Sequence, residues 1–144
     1  MMNDEAKRIG AVDTNFVNAN GLSNDKHYTT AYDLYLILHE AMKDSRFVNY
    51  AGAASYNVTY TAADGSQVTK NWRNGNRYLT GQQVPPSGVK VDAGKTGTTF
   101  AAGSCLVLAS EDADGKRYIS VVLKAQNKAG LYDNMSKLLL KIDK

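Results

Sequence analysis

Cysteine, histidine, proline and tryptophan are scarce in this chain of 144 residues, which contains one, two, two and one of them, respectively. A single cysteine excludes a disulfide within the chain, and with only two histidines beside it a typical zinc site has too few ligands. Cys105 lies in an apolar run, so we expect it to be a small, buried core residue.

Long apolar runs and an excess of one charge are also missing. No run approaches the roughly 20 residues that a membrane-spanning helix needs, and the polar start from Met1 to Arg8 lacks the pattern of a signal peptide. The net charge is +3, from 17 basic and 14 acidic residues. The basic residues are scattered and form no stripe that would indicate a nucleic-acid partner. We treat residues 1–144 as a single unit, one domain or a piece of one.

Apolar residues at helical spacing predict three helices. The first stops at Gly10, and because no capping residue precedes Met1, we interpret it as the end of a longer helix that begins upstream. Thr30 can cap the second, which is expected to run to about Arg46, and the third covers residues 131–142. Their apolar faces contain, in order, Met2, Ala6 and Ile9; Leu34, Ile37, Leu38 and Ala41; and Leu131, Met135, Leu138, Leu139 and Ile142.

Alternating apolar residues and turn signals predict five strands between the second and third helices. Residues 56–60 and 67–72 form a hairpin around Asp64-Gly65, and residues 95–99, 104–109 and 117–123 follow as three further strands. The fold class is therefore α+β, an antiparallel sheet with packed helices.

The most specific motif is Gly94-Lys95-Thr96-Gly97-Thr98-Thr99, which is followed by Ala102-Gly103-Ser104-Cys105-Leu106-Val107. A Lys-Thr-Gly strand is one of three motifs in the active sites of penicillin-binding proteins and serine β-lactamases, beside Ser-x-x-Lys and Ser-x-Asn. The flanking residues here follow the pattern Gly-x-Lys-Thr-Gly-x-Thr-x-x-Ala-Gly-x-Cys-Leu-Val. In this stretch the chain resembles the serine-type D-alanyl-D-alanine carboxypeptidases, which are low-molecular-weight penicillin-binding proteins.

The resemblance runs nearly from end to end and keeps the order of the family's segments. The stretch from Phe16 to Leu22 is similar to Phe-x-Asn-Pro-x-Gly-Leu, with Ala19 in place of the proline. The stretch from His27 to Leu34 is similar to His-Tyr-(Ser/Thr)-Thr-Ala-x-Asp-Leu. Two further matches are the Asn-Thr-Asn-x-Leu-Leu segment and the last strand, which correspond here to Trp72, Asn74, Asn76 and Leu79 and to residues 118–123.

The same order implies that the nucleophile is not in this chain. In the family, Ser-x-x-Lys and Ser-x-Asn precede the Phe-x-Asn segment, so both are expected upstream of Met1 and the isolated chain is expected to be inactive. Ser23, Ser55 and Ser87 do satisfy fragments of these motifs. We reject them because the nucleophile needs a helix that holds lysine one turn after serine, whereas these serines lie in predicted loops or at a strand start.

The resemblance implies roles for four residues of the motif in acyl transfer from D-Ala-D-Ala. The backbone N–H of Thr98 would help bind the carbonyl oxygen as it becomes negative, and Lys95 would supply a fixed positive charge. Gly97 would leave room for the substrate backbone, and the hydroxyls of Thr96 and Thr98 would bind the terminal carboxylate. No metal or organic cofactor is implied. His27 is interpreted as structural, because this family uses lysine as its base.

Further expectations concern partners and alternatives. The resemblance implies peptidoglycan stem peptides as substrate, β-lactams as ligands of the intact parent, and a location outside the cytoplasmic membrane. A β-lactamase-related hydrolase and a non-catalytic binding module that kept the fold are the alternatives. Trp72 and the tyrosines could form a sugar-binding surface, but we favour core and hairpin packing. Because its usual partner strand is expected upstream, the strand from Tyr118 to Leu123 should self-associate or pair with a rearranged segment.

Overall fold

A computed structural model describes residues 1–142 and confirms the α+β class with antiparallel sheets. Its sheets are a hairpin and a separate three-stranded sheet. None of the helices in the described part of the chain is long and apolar enough to cross a membrane. The elements are α1 (Met2–Arg8), α2 (Ala31–Ala41), α3 (Ser45–Gly52), β1 (Ser55–Thr61), β2 (Gln67–Arg73), β3 (Lys90–Thr99), β4 (Gly103–Glu111), β5 (Arg117–Ala125) and α4 (Lys128–Leu139).

The helix predicted to extend to Arg46 is in fact two helices. The Thr30 hydroxyl caps α2 as predicted, accepting a hydrogen bond from the Asp33 N–H at 3.1 Å. However, α2 ends at Ala41, and α3 begins at Ser45 after Asp44. The Asp44 carboxylate accepts from the Arg46 N–H at 2.8 Å, so a short acidic side chain that favours a helix start ends the predicted helix here.

The three-stranded sheet has the order β3-β4-β5, with every pair antiparallel. Lys95 lies opposite Val107, which in turn lies opposite Val121. The strand β3 begins earlier than predicted, at Lys90, and its ammonium pairs with Glu111 across the sheet at 2.9 Å. Within residues 1–142, β5 pairs with β4 alone, so pairing of β5 with a rearranged segment of the described chain is a wrong prediction. Self-association stays a prediction.

The hydrophobic core lies between this sheet and α4. Leu106 and Leu108 of β4 are at most 1% exposed and pack with buried residues of α4, among them Leu131, Met135 and Leu139. Side chains alternate across a strand, so the opposite face carries Ala109 and Ile119, which lie beside α2. The side chains of one strand are therefore divided between two layers of helices.

Cys105 corrects one prediction, because it is half-buried rather than part of the core. It precedes Leu106 on β4, so it points to the sheet face away from α4. At this end of the strand its neighbour in register is Gly97, which has no side chain to cover it. Its thiol lies 3.4 Å from the carbonyl oxygen of Ala102.

Candidate active-site groove

The Lys-Thr-Gly motif lies on β3, at an edge of the three-stranded sheet, as the sequence predicts. Lys95, Gly97 and Thr98 are exposed, and Thr96 is half-buried. An edge strand pairs on only one side, so the other side of its backbone remains available to an extended ligand. Beside it lies a groove of about 630 Å³. Its walls are Lys95, Thr96, Gly97 and Thr98 of β3; Asn74, Gly75, Arg77 and Gln82 of the connection that follows β2; and Lys128, Leu131 and Tyr132 of α4.

Two glycines of the motif have different physical roles. A Cβ on Gly94 would lie 2.7 Å from both a Leu108 methyl carbon and the Val107 carbonyl oxygen, so glycine there allows β3 to approach β4. A Cβ on Gly97 would have no neighbour within 4 Å. The space beside Gly97 is thus open, and the backbone of β3 is accessible at that point.

The Lys95 side chain is a positive charge at the rim of the groove. Its ammonium donates to the carbonyl oxygen of Thr96, and no carboxylate lies within ion-pair distance of it among residues 1–142. Thr96 and Thr98 are on the opposite face of β3 from Lys95, because side chains alternate along a strand. The hydroxyls and the ammonium therefore flank the strand backbone from its two sides.

The wall opposite β3 is built by two asparagines from the segment that matched the family pattern. The Asn74 amide donates to the Ala53 carbonyl oxygen at 2.8 Å, and its oxygen accepts from the Asn76 N–H at 2.9 Å. Asn76 is fully buried, and its oxygen accepts from the Tyr78 N–H at 3.2 Å. Between them, Gly75 approaches β3 so closely that a Cβ there would lie 3.0 Å from the Thr96 hydroxyl.

Two buried tyrosines attach this wall to α4. The Tyr132 hydroxyl accepts from the Arg77 N–H at 2.9 Å and lies 3.4 Å from the Gly75 carbonyl oxygen, to which it donates. The Tyr78 ring packs on Tyr132 with centroids 5.5 Å apart, and its hydroxyl is 2.8 Å from that of Ser136. Burial raises the pKa of Tyr78, and the hydrogen bond with Ser136 opposes that rise. This phenol therefore stays neutral near pH 7, as a structural hydrogen-bonding group.

The serines that satisfy motif fragments are not arranged as nucleophiles in the described residues. Ser23 lies in an exposed segment without helix, and its hydroxyl donates to the Thr99 hydroxyl at 2.9 Å rather than to a lysine. Ser55 starts β1, and Ser87 lies in a turn. His27 has the structural role expected of it, because its Nδ1 accepts from the Val17 N–H at 3.3 Å.

Sequence reasoning missed the contributions of Arg77, Lys128 and Tyr132 to the groove. Tyr132 adjoins the apolar stripe of α4, but nothing local connects it with a loop between β2 and β3. Arg77 and Lys128 have no motif around them and are distant in sequence from Lys95. In the described part of the chain, no group of three or more histidine, cysteine, aspartate or glutamate side chains could hold a metal ion.

A Lys-Thr-Gly strand at a sheet edge beside a groove defines the penicillin-recognising class of serine acyl-transfer enzymes. Within that class, the family model described as Peptidase S11, D-alanyl-D-alanine carboxypeptidase, matches residues 1–127, and the chain belongs to this family. It is 31% identical over 140 residues to the D-alanyl-D-alanine carboxypeptidase DacF of Bacillus subtilis and 31% identical over 143 residues to DacC of Escherichia coli. These alignments cover 96% of this chain in each case, but 33% and 31% of the two relatives.

Solved structures have the same fold. The Streptomyces K15 DD-transpeptidase superposes with a TM-score of 0.82 at 30% identity, over 98% of this chain and 51% of that one. The D-alanyl-D-alanine carboxypeptidase of Mycobacterium tuberculosis superposes with a TM-score of 0.76 at 25% identity, over 95% and 49% of the two chains. The chain thus spans about a third of the curated relatives and about half of the solved structures.

Proposed function

We propose that this chain supplies one wall of the active site of a serine-type D-Ala-D-Ala carboxypeptidase. That enzyme would remove the terminal D-alanine from peptidoglycan stem peptides through an acyl-enzyme. The observation that carries the proposal is the Lys-Thr-Gly motif on an edge strand, with open space beside Gly97 and a groove along it. An extended peptide can lie against such a strand as an added strand.

Each motif residue has a part in the proposed reaction. The serine nucleophile and its lysine base come from the Ser-x-x-Lys motif, and a Ser-x-Asn pair completes the site; both motifs lie outside this chain. As the serine attacks the carbonyl, the backbone N–H of Thr98 binds the oxygen that becomes negative. Lys95 stabilises the negative charges of the site, and the hydroxyls of Thr96 and Thr98 bind the terminal carboxylate. Gly97 leaves the substrate backbone room against β3.

The partners and location of the parent protein follow from this reaction. Its substrate is the stem peptide of peptidoglycan, and β-lactams, which imitate D-Ala-D-Ala, would acylate the same serine. The reaction takes place outside the cytoplasmic membrane, where that substrate is. A module that kept the fold and only binds stem peptides is the second candidate, which the open groove supports equally.

Peptide binding by the chain itself tests the proposal. We expect a peptide ending in D-Ala-D-Ala to shift the amide resonances of Gly97 and Thr98 in ¹H–¹⁵N spectra, and the same peptide ending in L-Ala-L-Ala to shift them less. Lys95→Ala should weaken the binding without changing the unfolding midpoint. Unchanged Gly97 and Thr98 resonances at millimolar peptide would contradict the proposed site.

Fluorescent penicillin tests the source of the nucleophile. We expect no covalent labelling of this chain, since none of its described serines has a lysine ammonium as hydrogen-bond partner. Labelling that disappears in Ser23→Ala or Ser87→Ala would place the nucleophile within the chain and overturn that part of the proposal.

Self-association through residues 118–123 is a separate proposal about partners. The outer edge of β5 has no strand partner among residues 1–142, and it carries half-buried Ile119, Val121 and Leu123. Unpaired backbone groups beside apolar side chains are a template for another chain. Sedimentation should show a species larger than the monomer, and Val121→Lys should shift it to monomer. A wild-type monomer at high concentration would contradict this.

A further inference from the structure

The groove contains two cations that the Lys-Thr-Gly motif does not explain. Arg77 and Lys128 both line it, from the connection after β2 and from α4. Within residues 1–142, neither has a carboxylate within 4 Å, and no aspartate or glutamate lines the groove. Carboxylates do pair with five other cationic side chains of the described chain: Arg8, Lys43, Arg46, Lys90 and Lys137. Together with Lys95, the groove is a positively charged site without a counter-charge of its own.

Arg77 is held in place rather than free in solution. Its backbone N–H donates to the Tyr132 hydroxyl at 2.9 Å, and its guanidinium carbon lies 5.1 Å from the centroid of the same ring. Tyr132 is only 4% exposed, so this aromatic support is itself fixed in the core. A guanidinium that lies over a ring keeps the N–H groups at its edge available, and these suit the two oxygens of a carboxylate.

Lys128 is presented to the same region by α4. It is the first residue of the helix and precedes Tyr132 by four positions, so both lie on one helix face. Asn127 accepts the Gly130 N–H at 2.9 Å and caps the helix. The helix dipole adds positive potential at this end, which favours an anion next to Lys128 and opposes a cation there.

We propose that Arg77 and Lys128 form a carboxylate-binding subsite on the α4 side of the groove and act as specificity-determining residues for the stem peptide. This inference rests on the proposed function, which supplies a ligand with more than one carboxylate. The subsite binds either the terminal carboxylate of D-Ala-D-Ala, together with the Thr96 hydroxyl, or the carboxylate of an acidic residue further back in the peptide. A neutral or cationic group at the same position would leave two desolvated cations without a partner.

Three peptides that differ only in their carboxylates test the subsite. The first is a stem-type pentapeptide with D-glutamate and a free C-terminus, the second has its C-terminus amidated, and the third has its D-glutamate carboxylate amidated. We expect the wild-type chain to bind one of the amidated peptides about 10- to 100-fold more weakly than the first, as for the loss of a charge-assisted hydrogen bond. Which peptide loses affinity identifies the carboxylate that the subsite binds.

Variants assign that discrimination to the two side chains. In Arg77→Gln and in Lys128→Gln, the first peptide should bind more weakly and the difference between acid and amide forms should shrink. Arg117→Gln is the matched control, because Arg117 is an exposed arginine of β5 that does not line this groove. An acid-to-amide ratio in both groove variants equal to that of wild type would overturn the proposal. So would an equal loss for all three peptides, which would indicate a merely structural role.

A second measurement separates this proposal from the proposed function. Acetate titrated into the wild-type chain should shift the Arg77 side-chain Nε–H resonance, and Lys128→Gln should reduce that shift. If no peptide shifts Gly97 and Thr98 but acetate still shifts Arg77, the peptidase site fails and the anion subsite stands. If peptides shift Gly97 and Thr98 while acetate leaves Arg77 unchanged, the subsite fails and the proposed function stands.

Discussion

The hairpin β1–β2 and the sheet β3–β5 have the same kind of strand pairing but differ in what covers them. In the hairpin, residues pair in regular antiparallel register from Ser55 opposite Arg73 to Thr61 opposite Gln67, and all of them are exposed or half-buried. In the sheet, Leu106 and Leu108 are at most 1% exposed beneath α4. Backbone pairing alone therefore does not make a core, and the stability of the two regions has different sources.

The two faces of the hairpin show how it forms without a core. One face brings Tyr56 opposite Trp72, and Trp72 is 57% exposed. The other face is polar, with the Asn71 amide 2.6 Å from the Asn57 amide oxygen. Cross-strand contacts of this kind stabilise a pair of strands locally. Hairpin packing is thus confirmed for Trp72, but core packing is wrong for it.

The largest expected effect is that of Leu108→Ala, in the covered sheet. Leu108 is fully buried between β4 and α4, so the substitution should lower the free energy of unfolding by about 2–5 kcal/mol. Urea denaturation followed by circular dichroism measures the change. Val58→Ala, on the half-buried hairpin, is the control and should cost less than about 1 kcal/mol. Equal effects would mean that the two regions are equally packed.

Two glycine substitutions on one strand sharpen the comparison. Gly94→Ala places a methyl group 2.7 Å from the Val107 carbonyl oxygen, and backbone cannot move aside, so we expect a loss of about 1–3 kcal/mol. Gly97→Ala meets open space and should leave the free energy of unfolding within about 0.5 kcal/mol of wild type. It should nevertheless weaken peptide binding. Equal stability of the two variants would contradict the close approach of β3 to β4.

Asn127→Ala tests how much the sheet depends on its covering helix. The Asn127 side chain accepts the Gly130 N–H at the start of α4, and loss of such a cap costs about 1 kcal/mol. Because α4 covers the core, the whole sheet should lose this stability, as a lower unfolding midpoint. Asn127→Ser keeps an acceptor and should restore most of it. If serine does not restore the midpoint, the cap is not the cause.

Trp72→Ala should have the smallest effect, below about 1 kcal/mol for a cross-strand pair that does not reach the core. Trp72 is also the only tryptophan of the sequence, so its fluorescence reports on the hairpin. In the wild-type chain we expect the fluorescence to change at lower urea than the circular dichroism of the rest, as for a region that opens by itself. Coincident transitions would show that the hairpin and the sheet unfold together.

The sequence by itself determined the local features of this protein, because neighbouring residues carry them. Thr30 marks a helix start, Asp64-Gly65 a hairpin turn, and the residues around Lys95 a family whose strand lies at a sheet edge. Asp44 shows the limit of such patterns, since an unnoticed cap divided one predicted helix into two. In each case the hydrogen bonds involved join residues close in sequence.

Only the tertiary structure decided what covers each strand and what completes the groove. Trp72 and Leu108 both lie in strands, yet α4 covers only the second. Arg77 and Lys128 meet Lys95 because Tyr132, anchored in the core, attaches a distant loop to the helix beside β3. Such proximity depends on how whole elements pack over the sheet, and that packing is a sum of many weak long-range contacts that no local spacing records.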